Sequence, residues 1–171
     1  MIKLVILDVD GVLTDGRKYY DNSGLAVYKT FCDKDFTAIK KFKSAGCHVI
    51  FLSGDENINE RVAANRGIPF YYTRGKCKSL FLPDLLKEYS ARLEEVVFLG
   101  DDTFDRELMS RVYHKFCPSD APREVKEVCQ VLTNAGGCNC VLELYEVLLK
   151  QNNVKQYDMD IIYKIDNNEK F

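Results

Sequence analysis

The sequence predicts an α/β protein built on a three-layer, doubly wound parallel sheet. Three uninterrupted apolar runs carry that expectation: Leu4–Leu7, Val49–Leu52 and Val96–Leu99. Runs without polar alternation suit strands covered on both faces, and helix-period patterns between them suit crossover connections. Each run also ends in a polar cluster. The first is followed by Asp8-Val9-Asp10-Gly11, the second by Ser53-Gly54-Asp55, and the third by Gly100-Asp101-Asp102. In such sheets ligands gather at the carboxyl ends of the strands, so these clusters mark the place to look for chemistry.

The remaining elements follow in order. Tyr19-Tyr20, then Asp21-Asn22-Ser23-Gly24, then Ala26-Val27-Tyr28 reads as a β-hairpin, a flap over about residues 17–30 that leaves directly after the first acidic cluster. Phe36, Ile39 and Phe42 recur at helical spacing. Phe70–Tyr72 and Val112–Phe116 read as weaker strands. Pro83 opens a helix carrying Leu82, Leu85, Leu86 and Tyr89. Val125, Val128 and Cys129 mark a short helix, and Val141, Leu144, Tyr145 and Leu148 a last one. This gives one domain over residues 1–150 and a polar tail over 151–171, in which the stretch from Met159 to Ile165 either docks or forms a strand.

Composition narrows the class. The chain has 171 residues, which suits one domain, and a net charge of -2 with both signs dispersed. That balance argues for neither a nucleic acid nor an anionic membrane as partner. No apolar stretch approaches the roughly 20 residues that span a bilayer, and the first run stops at an acid, unlike a signal peptide. Seven cysteines at irregular spacing, with no export signal before them, point to reduced thiols and a cytoplasmic protein. Cys138 and Cys140 lack two further ligands nearby, so no zinc site is expected.

Asp8 and Asp10 are two apart, so in extended chain their carboxylates face the same way. Asp101 and Asp102 add negative charge at a neighbouring strand end. Crowded carboxylates call for a hard divalent cation, and Mg²⁺ is the common partner of phosphate chemistry. Ser53 offers a hydroxyl and Gly54 a bare N–H to a phosphate oxygen, while the Lys78 ammonium can hold both a nucleophilic carboxylate and a phosphoryl group. Singly, each has an ordinary reading as helix cap, turn or surface lysine; their combination does not.

The string from Asp8 to Gly16, D-V-D-G-V-L-T-D-G, resembles the first motif of haloacid dehalogenase-superfamily phosphatases in its sugar-acid form. Ser53-Gly54 resembles the second motif, Lys78 the third, and Gly100-Asp101-Asp102 with Asp105 the fourth. The resemblance covers about residues 2–150 and implies a capless phosphatase acting on a phosphorylated sugar acid, either 3-deoxy-D-manno-octulosonate (Kdo) 8-phosphate or a nine-carbon ulosonate 9-phosphate. It implies Asp8 as nucleophile and Asp10 as general acid and base. Mg²⁺ would be held by Asp8, the Asp10 carbonyl and Asp101, with Asp102 behind them, and Thr14 and Gly54 would bind phosphate or substrate. Asp105 is read either with Asp102 or as a first-turn helix acid.

Two positions depart from the pattern. Cys77 stands where the family has an Asp before its lysine, and Leu142 where Kdo 8-phosphate phosphatases carry a substrate-reaching arginine. Asp55, with Arg66 eleven positions on, matches the acid and base of the nine-carbon branch and tilts the expectation that way; a surface ion pair is the other reading of the two. A response-regulator receiver is disfavoured because no Asp follows Phe70–Tyr72. A phosphatase-like assembly module without strong catalysis is the remaining alternative. No segment is long enough for a cap, so the site is open and the exposed flap edges invite pairing with another chain; the resemblance to capless phosphatases implies a homotetramer with sites near subunit boundaries.

Overall fold

A computed structural model describes residues 1–170. The chain runs β1 (Leu4–Leu7), the hairpin β2 (Tyr19–Tyr20) and β3 (Ala26–Tyr28), α1 (Asp33–Ser44), β4 (His48–Ser53), α2 (Ile58–Asn65) and β5 (Phe70–Tyr72). It continues through α3 (Leu82–Glu88), β6 (Val96–Leu99), α4 (Arg106–Arg111), β7 (His114–Cys117), α5 (Arg123–Lys126), β8 (Gln130–Val131), α6 (Cys140–Lys150) and α7 (Met159–Asp166). Six strands form one parallel sheet in the order β5-β4-β1-β6-β7-β8, and the hairpin stands apart from it.

Because successive side chains point to opposite faces, β1 serves two cores at once. Val5 and Leu7 pack with Phe36, Phe42, Val141, Leu144 and Tyr145 of α1 and α6. Leu4 and Ile6 pack with Leu82, Leu85, Leu108, Met109 and Val125 on the other face. All four residues of β1 are fully buried, which is why the run shows no polar alternation. The centre of this sheet is therefore covered on both faces, and the ends of β1, β4 and β6 lie side by side.

Several elements differ from expectation. The strand read at Val112–Phe116 starts at His114 and reaches Cys117; Val112 instead ends α4 with its side chain in the core. The short helix α5 closes at Lys126, before Val128 and Cys129. The two-residue strand β8 has no apolar run to announce it, since both its side chains are exposed. The tail takes the docked alternative and does so as a helix. Asp158 caps α7 by accepting the Asp160 and Ile161 amides, Ile162 is buried, and Lys40 of α1 pairs with Asp166 and with Glu169, the latter at 3.0 Å. Phe171, the last residue of that tail, lies outside the described residues. Among the described residues no helix is long and apolar enough to cross a membrane.

Candidate active site

Beyond β1 the chain bends at once, with the Leu13 and Thr14 amides both donating to the Val9 carbonyl. Asp8 sits at this bend, 6% exposed, with one carboxylate oxygen accepting the Val9 amide at 2.7 Å and the other 2.8 Å from Lys78 Nζ. Lys78 opens a 3₁₀ turn that runs into α3 and is equally buried. Its ammonium also reaches Asp105 at 2.6 Å, whose carboxylate is wholly enclosed and accepts the amides of Asp101 and Asp102 at 2.8 and 3.1 Å.

Carboxylate oxygens of Asp8, Asp101 and Asp105 lie within 4.8 Å of one another. Burial pushes Asp8 up to about 6 even though Lys78 pulls it down. Burial, followed by the charge of Asp8, pushes Asp101 up to about 8. Burial alone would lower the Lys78 ammonium, but Asp8 and Asp105 outweigh it and raise the group above the usual lysine range. The balance is three carboxylates against one ammonium, and Asp101 Oδ1 is buried with no hydrogen-bond partner among the described residues. An orphaned carboxylate oxygen beside a second carboxylate, in an all-oxygen donor set, fits a hard divalent cation. Asp105 is already committed to Lys78 and two amides, so Asp8 and Asp101 are the side chains left to hold it. Gly11 makes room for this: its φ is +83°, and a Cβ there would fall 1.9 Å from Asp101 Oδ2.

The backing of this loop comes from far along the chain. A Cβ on Gly136 would lie 2.0 Å from the Gly11 carbonyl oxygen, and one on Gly137 2.7 Å from the Asp15 amide nitrogen. The Gly137 amide donates to the Val12 carbonyl at 2.8 Å. Bare backbone therefore lies directly against the turn that carries Asp8 and Asp10. Asp35, fully buried, accepts the Val141 and Leu142 amides and so fixes the start of α6 behind those glycines.

Other expected residues are placed as follows. Ser53 is buried at the end of β4, its hydroxyl accepting the Asp55 amide and Asn59 Nδ2 at 3.2 Å each, and Gly54 beside it is exposed. Thr14 departs from the expected phosphate contact: it is fully buried and its hydroxyl accepts the Gly11 and Gly16 amides, closing the loop on itself. Asp102 is exposed and accepts the Thr103 amide, capping the turn into α4.

Asp55 and Arg66 do not form the surface ion pair that was the second reading of these two residues. Asp55 lies 2.6 Å from Lys18 and 2.7 Å from Lys29, whereas Arg66 lies 2.9 Å from Glu169 and stacks over Phe36 at 3.6 Å. The aromatic face and the tail acid hold the guanidinium there, which the eleven-residue spacing could not reveal. Cys77 donates to Glu107 at 3.0 Å and Ser79 to the same carboxylate at 2.7 Å, so both neighbours of Lys78 are tied to α4. Leu142 packs, half-buried, against the core.

Lys29, Asn59 and Lys18 were not singled out by sequence, which offered no motif at those positions. Lys29 lies 2.7 Å from Asp10 Oδ1 and Asn59 Nδ2 donates to Asp10 Oδ2 at 3.0 Å. Between the flap and the start of α2 runs a groove of about 700 Å³, lined by Lys18, Lys29, Asp55, Arg61 and Arg74 among others.

Comparison with known proteins gives the family. Residues 66–143 match the model of the haloacid dehalogenase-like hydrolases. Over 151 residues the chain is 36% identical to 3-deoxy-D-manno-octulosonate 8-phosphate phosphatase KdsC of Haemophilus influenzae, covering 87% of this chain and 83% of that protein. The chain belongs to the KdsC-type phosphatases of the haloacid dehalogenase-like hydrolases. As a member of this family it is a phosphomonoester hydrolase. The cobalt-bound form of the Haemophilus influenzae phosphatase superposes with a TM-score of 0.82 at 34% identity, over 88% of this chain and 85% of that one. The Moraxella catarrhalis phosphatase, solved with a magnesium ion, a phosphate ion and a Kdo molecule, superposes with a TM-score of 0.80 at 26% identity, over 87% of this chain and 86% of that one. Both share the fold of this chain.

Proposed function

We propose that this KdsC-type phosphatase hydrolyses the phosphate monoester of a 3-deoxy-2-ulosonic acid through an aspartyl-phosphate on Asp8. The observation that carries this reading is the Lys78 ammonium bridging Asp8 and Asp105 beneath the unpartnered Asp101 oxygen. Lys78 fixes one Asp8 oxygen in place for attack on phosphorus. The P–O bond to the sugar breaks as the Asp8–phosphorus bond forms, and Asp10 gives a proton to the departing sugar oxygen. Asp10 then takes a proton from the water that attacks the phosphorus, releasing phosphate and restoring Asp8. Ser53, buried at the end of β4, would offer its hydroxyl to a phosphoryl oxygen.

Mg²⁺ held by Asp8, Asp101 and the Asp10 carbonyl would supply positive charge against the phosphoryl oxygens. The Moraxella enzyme, with its bound magnesium, phosphate and Kdo, supports both the cation and the substrate class. Kdo 8-phosphate is favoured over a nine-carbon 9-phosphate, because the relatives are Kdo 8-phosphate phosphatases and because Arg66 is held by Glu169 and Phe36. An assembly module without turnover has no need of a lysine sealed between two carboxylates.

The outward face of the hairpin supports a homotetramer. Tyr19, Tyr20, Leu25, Val27 and Tyr28 are all exposed on a two-stranded ribbon outside the main sheet. Phosphate release from Kdo 8-phosphate and from a nine-carbon ulosonate 9-phosphate, with Mg²⁺ and with chelator, tests the reading. Release from neither substrate in Mg²⁺, by a protein that still hydrolyses a generic aryl phosphate, overturns the substrate class.

A further inference from the structure

Lys29 directly follows the last residue of β3, Tyr28, which is 71% exposed. Its own side chain turns inward and is only 1% exposed. The ammonium lies 2.7 Å from Asp10 Oδ1 and 3.1 Å from Oδ2, 2.7 Å from Asp55, and 2.9 Å from Asn59 Oδ1. Asn59, fully buried in the first turn of α2, completes a ring: the two hydrogens of its amide nitrogen are shared among Asp10 Oδ2 at 3.0 Å and Ser53 Oγ and the Asp55 carbonyl at 3.2 Å each. Lys18, on the other stem of the flap, meets the same Asp55 carboxylate at 2.6 Å. The carboxylate of Asp10 is thus gripped on one side by the flap exit and on the other by α2, and both flap stems are tied to the end of β4 through Asp55.

We propose that Lys29, assisted by Asn59, is a positioning residue that sets the orientation of the Asp10 carboxylate for proton transfer, so that seating of the flap becomes a condition for that transfer. The inference rests on the proposed acid–base role of Asp10. A lysine sequestered only to anchor the flap needs Asp55 alone; here both Asp10 oxygens lie within reach of the same ammonium. A long, flexible side chain fixed by four oxygens loses most of its rotamer freedom, and the acid it holds is fixed with it.

The leaving group separates positioning from mere support. A 4-nitrophenyl phosphate departs without needing a proton, whereas an alkyl phosphate needs one from Asp10. First-turnover rates are measured on both esters for the wild type, Lys29→Met and Asp10→Asn, with melting curves for each. Proton transfer by a placed group contributes about 10²–10⁴-fold, so Lys29→Met should lose at least about tenfold more on the alkyl ester than on the aryl ester. In the Asp10→Asn background it should add no further selective loss. Equal losses on both esters, or a selective loss that persists without Asp10, overturn the inference. If Asp10→Asn itself shows no selectivity between esters, the acid–base reading of Asp10 fails, and that result is distinguishable from failure at Lys29 alone. Should Lys29→Met not fold, Asn59→Ala decides on the same ratio: a selective alkyl-ester loss supports the ring and an equal loss overturns it.

Discussion

Lys78 and Asp105 form a 2.6 Å ion pair in which the carboxylate has no exposed surface at all. The pair ties the 3₁₀ turn before α3 to the turn before α4, and through the Asp101 and Asp102 amides it also shapes the end of β6. Asp105 therefore aims the ammonium at Asp8 and stations Asp101 opposite.

Removing one partner of a buried pair strands the other. Asp105→Ala should lower unfolding free energy by about 3–5 kcal/mol, read by urea denaturation, and should lower kcat far more than it raises KM. A variant with wild-type stability and kcat would contradict the role given to the pair.

Asp8→Asn should abolish turnover, because an amide cannot form the acyl phosphate. The buried site tolerates an amide of the same shape, so the fold should remain. Acid-quenched incorporation of labelled phosphate into the wild type, and its absence from the variant, is the measurement.

Metal-free stability should fall as pH rises. Asp101 is pushed up to about 8 and Asp8 up to about 6, both above the value of about 3.9 for an unfolded aspartate. The folded chain then binds more protons than the unfolded chain in that window. The cost is absent below about pH 4, grows as pH rises, and is complete above about pH 8 for Asp101. In chelator the melting temperature should drop from acid toward pH 8, and Mg²⁺ should flatten the slope by favouring the ionised carboxylates. Asp101→Asn should flatten it without metal. A melting temperature that climbs with pH in chelator contradicts the assignment.

Deleting residues 19–28 should dissociate the assembly, read by sedimentation at micromolar concentration. Activity on the sugar-acid phosphate should fall more than activity on a small aryl ester, since Asp8, Lys78 and Asp101 lie outside the hairpin. A wild-type chain that sediments as a fully active monomer would refute assembly through the flap.

Much of this molecule was legible in advance because its signals are local. Buried parallel strands must be apolar on both faces, so Leu4–Leu7 and Val96–Leu99 announce themselves, and the acids at their ends stand out against them. What escaped depends on partners distant in sequence. Lys29 follows an exposed tyrosine and looks like a surface lysine until the fold brings Asp10, Asp55 and Asn59 around it. Arg66 looks like a partner for Asp55 until Glu169, near the end of the chain, takes it. β8 is too short and too exposed to leave a periodic trace.

The glycines at 136 and 137 carry a consequence for how the protein comes into being. The residues proposed to do the chemistry, from Asp8 through Ser53 and Lys78 to Asp101, are synthesised well before the segment that backs their loop. A nascent chain halted at residue 130 holds all of them yet lacks the glycine backbone behind Gly11 and Thr14, and lacks the helix start that Asp35 secures. In a truncated chain of that length the loop would therefore lack its backing even though every acid of the site is present.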